Sequence, residues 1–170
     1  MNIDFYDTNI YFATMNPRAK IPAKREEDGC YDLYAYIDQV VEIPPHGTAL
    51  VNTGLCSAFS PNYRIRICSR GTNTKMKSLI NAGVIDSGYR GEWFVALVNT
   101  TDKFIYLVPD LVTDGNICEN ETAIYFPTNK AIAQFAIEEV PRVKIVGVTK
   151  EEIEKFDSER GSGKLGSTEA

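Results

Sequence analysis

An acid and a phenol lie close together in a segment that is rich in glycine. Asp86 and Tyr89 lie among Gly83, Gly88 and Gly91. Glycine permits a positive φ or the close approach of another group to the main chain. A carboxylate and a phenol above exposed main chain would suit a pocket for a small planar molecule. Asp and Gly are also common in plain turns, so a hairpin in which Asp86 merely caps the turn is the alternative interpretation.

The C-terminal segment 160–170 carries a second set of polar groups and almost no large apolar side chains. Its glycines expose main-chain N–H groups, and Ser167 and Thr168 add hydroxyl donors. Arg160 and Lys164 add positive charge, and this mixture suits a polyphosphate. The segment is interpreted either as an arm that orders on an anion or as a disordered tail.

Composition limits the classes of function that remain. A chain of 170 residues with 44% apolar residues predicts one globular domain. The net charge of −5 argues against broad, sequence-independent binding of nucleic acid. One histidine and four cysteines without a CxxC pair argue against a zinc site and a histidine-based triad, and predict buried free thiols. No signal peptide or membrane-spanning run is visible, so the predicted location is the cytoplasm.

Short runs of β-branched and aromatic residues, separated by turn residues, position these groups. The predicted strands lie near 31–37, 39–43, 48–60, 63–69, 93–99, 103–108, 122–126, 131–139 and 143–148, and a further short run at 78–80 precedes the glycine-rich segment. This pattern predicts an all-β sandwich, jelly roll or barrel.

One short helix is predicted near the C-terminus. Thr149 and Glu152 fit a capping box, so the helix would begin after Thr149 and end near Asp157. Ile153 and Phe156 lie three residues apart and are predicted to face the sheet.

Five blocks, taken in order, resemble the trimeric all-β dUTPases, the dUTP nucleotidohydrolases. The third block, in the glycine-rich segment, and the fifth, in the tail, carry most of the resemblance. The blocks are Gly29-Cys30-Tyr31-Asp32-Leu33-Tyr34-Ala35, Ser69-Arg70-Gly71-Thr72, residues 83–92, Ala131-Ile132-Ala133-Gln134-Phe135, and residues 160–168.

The resemblance implies a jelly-roll-like β-barrel or sandwich over residues 1–158, followed by a flexible phosphate-binding arm at 159–170. It implies a homotrimer with shared active sites, in which one subunit supplies the hairpin, a second the phosphate contacts and a third the arm. The implied reaction is hydrolysis of dUTP to dUMP and pyrophosphate with Mg²⁺. That reaction limits uracil in DNA and supplies dUMP for thymidylate synthesis.

The roles at the base and the sugar are implied by the third block. Asp86 would orient and deprotonate the attacking water, and Tyr89 would pack on the deoxyribose. The main chain of Gly83, Val84 and Ile85 would hydrogen-bond uracil.

The roles at the phosphates are spread over the other blocks, and Asn81 would assist at the base. Arg70 and Gln134 would contact phosphates, and Asp32 would hold a water of the metal's shell. The arm would grip the β- and γ-phosphates through Arg160, Gly166, Ser167 and Thr168.

The chain departs from the family pattern at three single positions. Gly71 stands where the family usually has a serine that contacts the bridging oxygen of the leaving group, and Thr72 is the candidate to replace that contact. Ala131 stands in place of an arginine, with Lys130 beside it. Leu165 stands where a phenylalanine commonly stacks on uracil, which would cost on the order of 1 kcal/mol of stacking.

About twenty extra residues lie between the third and fourth blocks, at roughly 108–127. Loops of this length are often functional. Similar insertions occur in some phage-encoded dUTPases, which leaves open a phage origin, with the host cytoplasm as location, and a protein partner for this segment. A solvated excursion with an extra hairpin is the alternative interpretation.

Two other functions remain open at this stage. A dCTP deaminase would share the fold, but its tail lacks the glycine-rich pattern of residues 160–168. A protein-interaction trimer controlled by dUTP, with weak catalysis, is the second alternative, and the departures at Gly71 and Leu165 keep it open.

Overall fold

The computed structural model describes residues 7–109, 116–159 and 161–162. Within these ranges no helix is long and apolar enough to span a membrane. The described residues form thirteen strands and two helices, which are β1 (Ile10–Thr14), β2 (Tyr31–Tyr34), β3 (Val41–Ile43), β4 (Thr48–Asn52), β5 (Leu55–Phe59), β6 (Tyr63–Cys68), α1 (Gly71–Met76), β7 (Ser78–Asn81), β8 (Val84–Ile85), β9 (Phe94–Asn99), β10 (Phe104–Val108), β11 (Cys118–Glu119), β12 (Ala123–Pro127), β13 (Ala131–Glu139) and α2 (Lys150–Ile153).

The strands form four small sheets around one apolar core. Their orders are β1-β5, β11-β12-β10-β3, β2-β13-β6-β8 and β4-β9-β7. Side chains alternate along β6, where Ile65 and Ile67 are buried while Arg64 and Arg66 face solvent. This alternation is typical of strands with one buried face. The all-β, jelly-roll-like fold predicted from the sequence is confirmed.

Aromatic side chains fill the centre of the core. The Trp93 ring lies 5.0 Å from Phe12 and 5.4 Å from Phe135 between centroids, and both contacts are edge-to-face. The Trp93 indole N–H donates to Ser57 Oγ at 3.2 Å, so the buried polar atom is satisfied. Because Trp93 directly follows the glycine-rich segment, the core holds one end of that segment in place.

The predicted strand–hairpin–strand around the glycine-rich segment is confirmed. Strands β7 and β9 pair antiparallel, from Ser78 opposite Asn99 to Asn81 opposite Ala96. The intervening chain leaves this sheet, and β8 pairs with β6 in the neighbouring one. The hairpin therefore joins two sheets.

Two strand predictions were wrong, and the strands β1, β8 and β11 were absent from the predicted set. The predicted strand 48–60 is divided at Gly54, which has a φ of +68° and where a Cβ would lie 2.8 Å from the Cβ of Ala19. Residues 143–148 form no strand and are exposed, because no strand of the described chain pairs with them. The unpredicted β1 pairs with β5 along its whole length.

The helices also differ from the prediction. The capping box at Thr149 is confirmed. The Thr149 hydroxyl accepts from Glu152 N–H, and the Glu152 carboxylate accepts from Thr149 N–H. The α-helix ends at Ile153, however, and Ile153 and Phe156 are exposed rather than packed on a sheet. Helix α1 was not predicted, because its sequence Gly-Thr-Asn-Thr-Lys-Met contains mostly weak helix formers.

The segment proposed as an insertion, 108–127, ends in a strand of the core. Ile124 and Phe126 on β12 are fully buried, and β12 pairs with β10 in parallel. The short β11 pairs with β12 in a hairpin, as the alternative interpretation expected. Residues 110–115 lie outside the described ranges.

The cysteines are free thiols, as predicted, but none is fully buried. Cys30, Cys56 and Cys68 are partly buried, and Cys118 is exposed. Burial, and then the nearby Cys30 thiol, raises the pKa of Cys68. None of the four belongs to the buried core, so the prediction of buried thiols was too strong.

Candidate functional site

The chain approaches another strand closely at Gly83. A Cβ at this position would lie 2.3 Å from the carbonyl oxygen of Ile67, so only glycine fits. The Gly83 carbonyl accepts from Ile67 N–H at 2.6 Å. In an antiparallel ladder the N–H and C=O of the next residue, Val84, then point away from β6. Among the described residues β8 is the outer strand of its sheet, so these two groups are free for a ligand.

Tyr89 is held in one orientation by its neighbours. Its hydroxyl donates to the carbonyl of Glu92 at 2.9 Å. A Cβ on Gly91 would lie 2.5 Å from the Tyr89 hydroxyl oxygen, so Gly91 leaves room for the ring. Tyr89 therefore presents a fixed, 40% exposed aromatic face. Gly88 has open space around its Cα. None of Gly83, Gly88 and Gly91 has a positive φ, whereas Ala82 has a φ of +49°.

The Asp86 side chain is exposed and has no hydrogen-bond or ion-pair partner among the described residues. The turn is closed by the main chain, where Tyr89 N–H donates to the Asp86 carbonyl at 3.1 Å. The carboxylate is thus not needed to cap the turn, which removes the support for the plain-hairpin interpretation. An unpaired carboxylate beside an apolar wall is available to accept a proton from water.

These groups surround a cleft of about 300 Å³, called here the hairpin cleft. Its lining residues are Leu50, Ala82, Val84, Ile85, Asp86, Tyr89, Glu92, Phe94 and Ala96. Apart from its two carboxylates and Tyr89, the wall consists of apolar side chains. A cleft with a largely apolar wall and a few directed polar groups is typical of a small-molecule site.

Two polar residues of this region have structural contacts. Glu92, which the sequence reasoning missed, accepts from the main-chain N–H of Gly54 at 2.8 Å and from Asn52 at 3.4 Å. The Asn81 side chain accepts from Ala82 N–H at 2.9 Å and does not line the cleft. Asn81 therefore supports the turn that leads to Gly83.

A second cleft contains the predicted phosphate residues. Asp32, Arg70 and Gln134 line a space of about 720 Å³, called here the Arg70 cleft. Gln134 on β13 lies opposite Asp32 on β2 and Cys68 on β6, so three strands bring the residues together. Arg70 Nε lies 3.2 Å from Asp32 Oδ1, and Gln134 Nε2 donates to the Ser69 carbonyl at 2.9 Å.

Helix α1 fixes Arg70 at its N-cap. The Asn73 side-chain oxygen accepts from Arg70 N–H at 2.8 Å. The Asn73 amide donates in turn to Ser78 Oγ at 3.1 Å and to the Ile132 carbonyl at 3.0 Å. Asn73 is 2% exposed, so these bonds lie in the interior and tie the second block to the fourth.

Gly71 and Thr72 do not line the Arg70 cleft. Gly71 is exposed with open space at its Cα. The Thr72 hydroxyl is buried and has no hydrogen-bond partner among the described residues. A buried hydroxyl without a partner costs about 1–3 kcal/mol, which would be recovered if a ligand supplied the missing bond.

The segment before β2 adds charges that the sequence reasoning missed. Lys24, Arg25 and Asp28 line the Arg70 cleft, and Arg25 Nε lies 2.9 Å from Asp28 Oδ2. Lys24 Nζ lies 5.4 Å from the centroid of the Tyr31 ring, a cation–π contact beside β2. The run of four cations in residues 18–25 was the available signal.

The predicted arm residues Arg160, Leu165, Gly166, Ser167 and Thr168 lie outside the described residues. Ala131, where the family pattern has an arginine, is 1% exposed and lies opposite Tyr34. No cation of the described chain replaces that side chain in the interior, since Lys130 lies at the surface turn.

Comparison with known proteins decides the family. The sequence profile of the dUTPase family matches residues 17–110, more than half of the chain. The chain belongs to the dUTPase family. A deoxyuridine 5'-triphosphate nucleotidohydrolase of Candida albicans is 32% identical over 155 residues, which cover 90% of this chain and 83% of that protein. One of Helicobacter pylori strain J99 is 33% identical over 111 residues, covering 62% of this chain and 75% of that protein.

Solved dUTPase structures share the fold. A mutant form of the phage 80alpha dUTPase superposes with a TM-score of 0.71 at 24% identity, covering 95% of this chain and 99% of that one. The phage phi11 dUTPase from S. aureus, described with a species-specific insert, gives a TM-score of 0.62 at 19% identity over 84% of this chain and 98% of that one. At these identities the likeness shows the fold alone.

Proposed function

We propose that the chain hydrolyses dUTP to dUMP and pyrophosphate, with Asp86 as the residue that activates water. The observation that carries the proposal is the unpaired Asp86 carboxylate in the hairpin cleft, next to the free main-chain groups of Val84. Family membership supplies the substrate class, and the cleft supplies groups suited to it.

The hairpin cleft would bind the nucleoside. Val84 offers one N–H donor and one C=O acceptor on the open edge of β8, a pair that can match uracil. Cytosine presents the opposite donor and acceptor at that edge, and its bonds would be left unpaired. The fixed Tyr89 ring would pack on the deoxyribose and leave no room for a 2′-hydroxyl.

Asp86 would take the proton from the attacking water. The water oxygen forms a bond to the α-phosphorus, the bond to the bridging oxygen breaks, and pyrophosphate leaves. A carboxylate within hydrogen-bond reach of the water aids this step both by positioning the water and by accepting its proton.

The Arg70 cleft would hold the triphosphate. In the free protein Arg70 is paired with Asp32, so an incoming phosphate competes with that carboxylate for the guanidinium. The Gln134 side-chain amide donates one N–H to the Ser69 carbonyl and carries a second N–H that could donate to a phosphate oxygen. Charge develops on the phosphate oxygens in the transition state, so a guanidinium placed there stabilises it.

Asp32 would hold Mg²⁺ through a bound water. Among the described residues no group of three or more His, Cys, Asp or Glu side chains could form a metal cage. A single, partly exposed carboxylate fits an ion that arrives hydrated on the triphosphate. Bound there, Mg²⁺ would neutralise part of the charge on the phosphate oxygens.

A homotrimer with shared sites is part of the proposal. The two clefts have no lining residue in common. Leu50, which lines the hairpin cleft, is 68% exposed, and Leu79 on β7 is 58% exposed. The segment 143–148 also exposes Val143 and Ile145, at 76% and 93%. Apolar surface of this kind is typical of a protein interface.

The arm, the partner of the 108–127 segment and the cytoplasmic location stay predictions. Deleting residues 160–170 should leave a folded protein that hydrolyses dUTP poorly. An unchanged rate would remove the phosphate-binding role of Arg160, Gly166, Ser167 and Thr168.

The function is tested by incubating the protein with dUTP, dCTP or UTP and Mg²⁺ while pyrophosphate is measured. Release from dUTP alone is expected. Ammonia released from dCTP would point to the deaminase, and pyrophosphate from UTP would contradict the proposed role of Tyr89. Binding of dUTP without turnover would favour the interaction protein.

A further inference from the structure

Helix α1 and strand β7 are joined by one residue. Helix α1 carries Arg70 at its N-cap, and β7 leads to Gly83 and the hairpin. Lys77 alone lies between the helix and the strand, and it has a left-handed conformation with φ 53° and ψ 49°. A residue with a Cβ pays roughly 1 kcal/mol or more for this conformation, so other contacts must stabilise it.

The main chain of Lys77 is fixed by two neighbouring segments. Its N–H donates to the Thr74 carbonyl at 3.3 Å. Its carbonyl accepts from Thr100 twice, from N–H at 3.1 Å and from the hydroxyl at 2.7 Å. The direction of the chain between α1 and β7 therefore depends in part on Thr100, which lies outside both elements.

The side chain of Lys77 is fixed by Glu119, which lies in the 108–127 segment. Lys77 Nζ lies 2.9 Å from Glu119 Oε1, and Lys103 Nζ lies 2.7 Å from the same oxygen. Lys103 also donates to the Asn120 carbonyl at 2.6 Å. One carboxylate thus bridges two lysines, and its removal would leave two positive charges beside each other.

Glu119 is held by the strand pairing of its main chain and by its ion pair with Lys103. It lies opposite Ile124 on the buried strand β12, and its side chain is 35% exposed. The Lys103 ammonium, and then that of Lys77, lowers the pKa of Glu119 to about 2, so the carboxylate is charged at any working pH. The hairpin β11–β12 is therefore connected to the core on one side and to Lys77 on the other.

We propose that Glu119 is a positioning residue for dUTP hydrolysis, acting through Lys77 on how each chain places Arg70 and the hairpin, which in the proposed trimer serve different shared sites. This inference rests on the proposed function. It assigns the 108–127 segment a role within the enzyme, since Glu119 belongs to that segment and lies in neither cleft.

The test compares Glu119→Gln, Glu119→Asp and Lys77→Gly with a matched control, Glu138→Gln. Glu138 likewise bridges two cations, Arg64 and Arg66, at 2.7 and 2.6 Å. For each variant kcat and KM for dUTP are measured, together with the urea midpoint of unfolding. Lys77→Gly relieves the left-handed strain but removes the ion pair, so it separates stability from positioning.

Glu119→Gln is expected to raise KM about three- to fivefold with kcat within about twofold, the scale of a partly exposed ion pair. Glu119→Asp should recover part of the loss. Lys77→Gly should show the raised KM without a lower urea midpoint, and Glu138→Gln should keep the wild-type KM.

An unchanged KM in Glu119→Gln, or an equal rise in Glu138→Gln, would overturn the positioning role. A KM that follows the urea midpoint across all variants would assign Glu119 to stability alone. If the wild-type chain binds dUTP but releases no pyrophosphate, the proposed function fails, and this role fails with it.

Discussion

The hairpin cleft and the Arg70 cleft hold their charged groups in different states. In the hairpin cleft the Asp86 carboxylate has no partner among the described residues, and the surrounding wall is mainly apolar. In the Arg70 cleft, Arg70 is paired with Asp32 and Arg25 with Asp28. The first cleft is ready to activate water without rearrangement. The second must exchange an internal ion pair for contacts with the triphosphate.

This difference predicts different consequences of mutation. Removing the Asp86 charge takes away a reacting group and leaves the binding surface intact. Removing Arg70 takes away a binding group and also releases Asp32 from its partner. The first change should therefore affect kcat, and the second should affect both kcat and KM.

The largest effect is expected for Asp86→Asn. The variant should lose turnover by at least roughly a thousandfold, because an amide cannot accept the proton of water. The affinity for dUTP should stay within roughly tenfold, about 1.4 kcal/mol. Turnover and calorimetric binding of a non-hydrolysable dUTP analogue measure the two quantities. Asp102→Asn, at an exposed aspartate that pairs with His46, serves as the control. Full activity in Asp86→Asn would show that Asp86 does not activate the water.

A smaller effect is expected for Arg70→Ala. The variant should lose roughly a hundredfold in kcat/KM, about 2.7 kcal/mol, because a charge-assisted contact to phosphate is lost. Arg70→Lys should keep part of the activity as a point charge. Steady-state kinetics with dUTP measure both, and Arg66→Ala, outside both clefts, is the control. Equal KM values for wild type and Arg70→Ala would contradict the assignment of this cleft to the triphosphate.

Thr72→Val should separate stability from activity. Replacing a buried hydroxyl that has no partner among the described residues is expected to raise the free energy of unfolding by up to about 1 kcal/mol. The rate should fall by roughly tenfold if the hydroxyl replaces the family serine's contact with the bridging oxygen of the leaving group, the role that the resemblance suggests for Thr72. Urea unfolding and kcat are measured on the same preparation. A variant that is more stable and fully active would show that Thr72 has no part in the site.

The smallest effect is a pH dependence of stability at Glu119. Its pKa is about 2 in the folded chain, below the ordinary value of 4.5, because of Lys103 and then Lys77. A carboxylate whose pKa is lower in the folded chain than in the unfolded chain stabilises the fold. For Glu119 this stabilisation is fully present above about pH 4.5 and is lost as the pH falls towards 2. The urea midpoint of wild type should therefore exceed that of Glu119→Gln at pH 5.5.

The difference between the two midpoints should narrow as the pH is lowered from 5.5 to 3. Glu138 also has a lowered pKa, but it is present in both proteins and cancels in the comparison. A difference that stays constant over this pH range would mean that the charge of Glu119 contributes nothing.

The hairpin was predictable from the sequence because its determinants are local. Gly83, Asp86, Tyr89 and Gly91 lie within nine positions, and their order already indicates a turn with a carboxylate and a phenol. The structure shows that Gly83 and Gly91 are needed for close packing. It also shows that the Asp86 carboxylate has no partner among the described residues. Those facts depend on Ile67 and on the main chain of the turn, which the local sequence does not reveal.

The Arg70 cleft could be predicted only through the family resemblance. Asp32, Arg70 and Gln134 are far apart in the chain and meet because β2, β13 and β6 are neighbours in one sheet. Helix α1 escaped prediction because Asn73 stabilises it through bonds to Arg70, Ser78 and Ile132, and not through helix propensity. The alternating segment 143–148 predicted a strand, but the described chain offers it no partner.

The proposed trimer would bring the two clefts of different subunits together. Each shared site would then take Asp86 from one subunit and Arg70 from another. Asp86→Asn and Arg70→Ala would therefore remove groups that different subunits contribute to the same site. A site within one subunit would need both residues from the same chain. The two arrangements differ in whether a mixed oligomer of the two variants regains dUTP hydrolysis.

The most direct test is to co-express Asp86→Asn with Arg70→Ala and to measure dUTP hydrolysis by the mixed oligomer. Each variant alone is expected to be nearly inactive. With random assembly and shared sites, roughly a quarter of the sites would receive an intact Asp86 and an intact Arg70, so roughly a quarter of the wild-type rate should return. A mixed oligomer no more active than the Arg70→Ala variant alone would contradict the account.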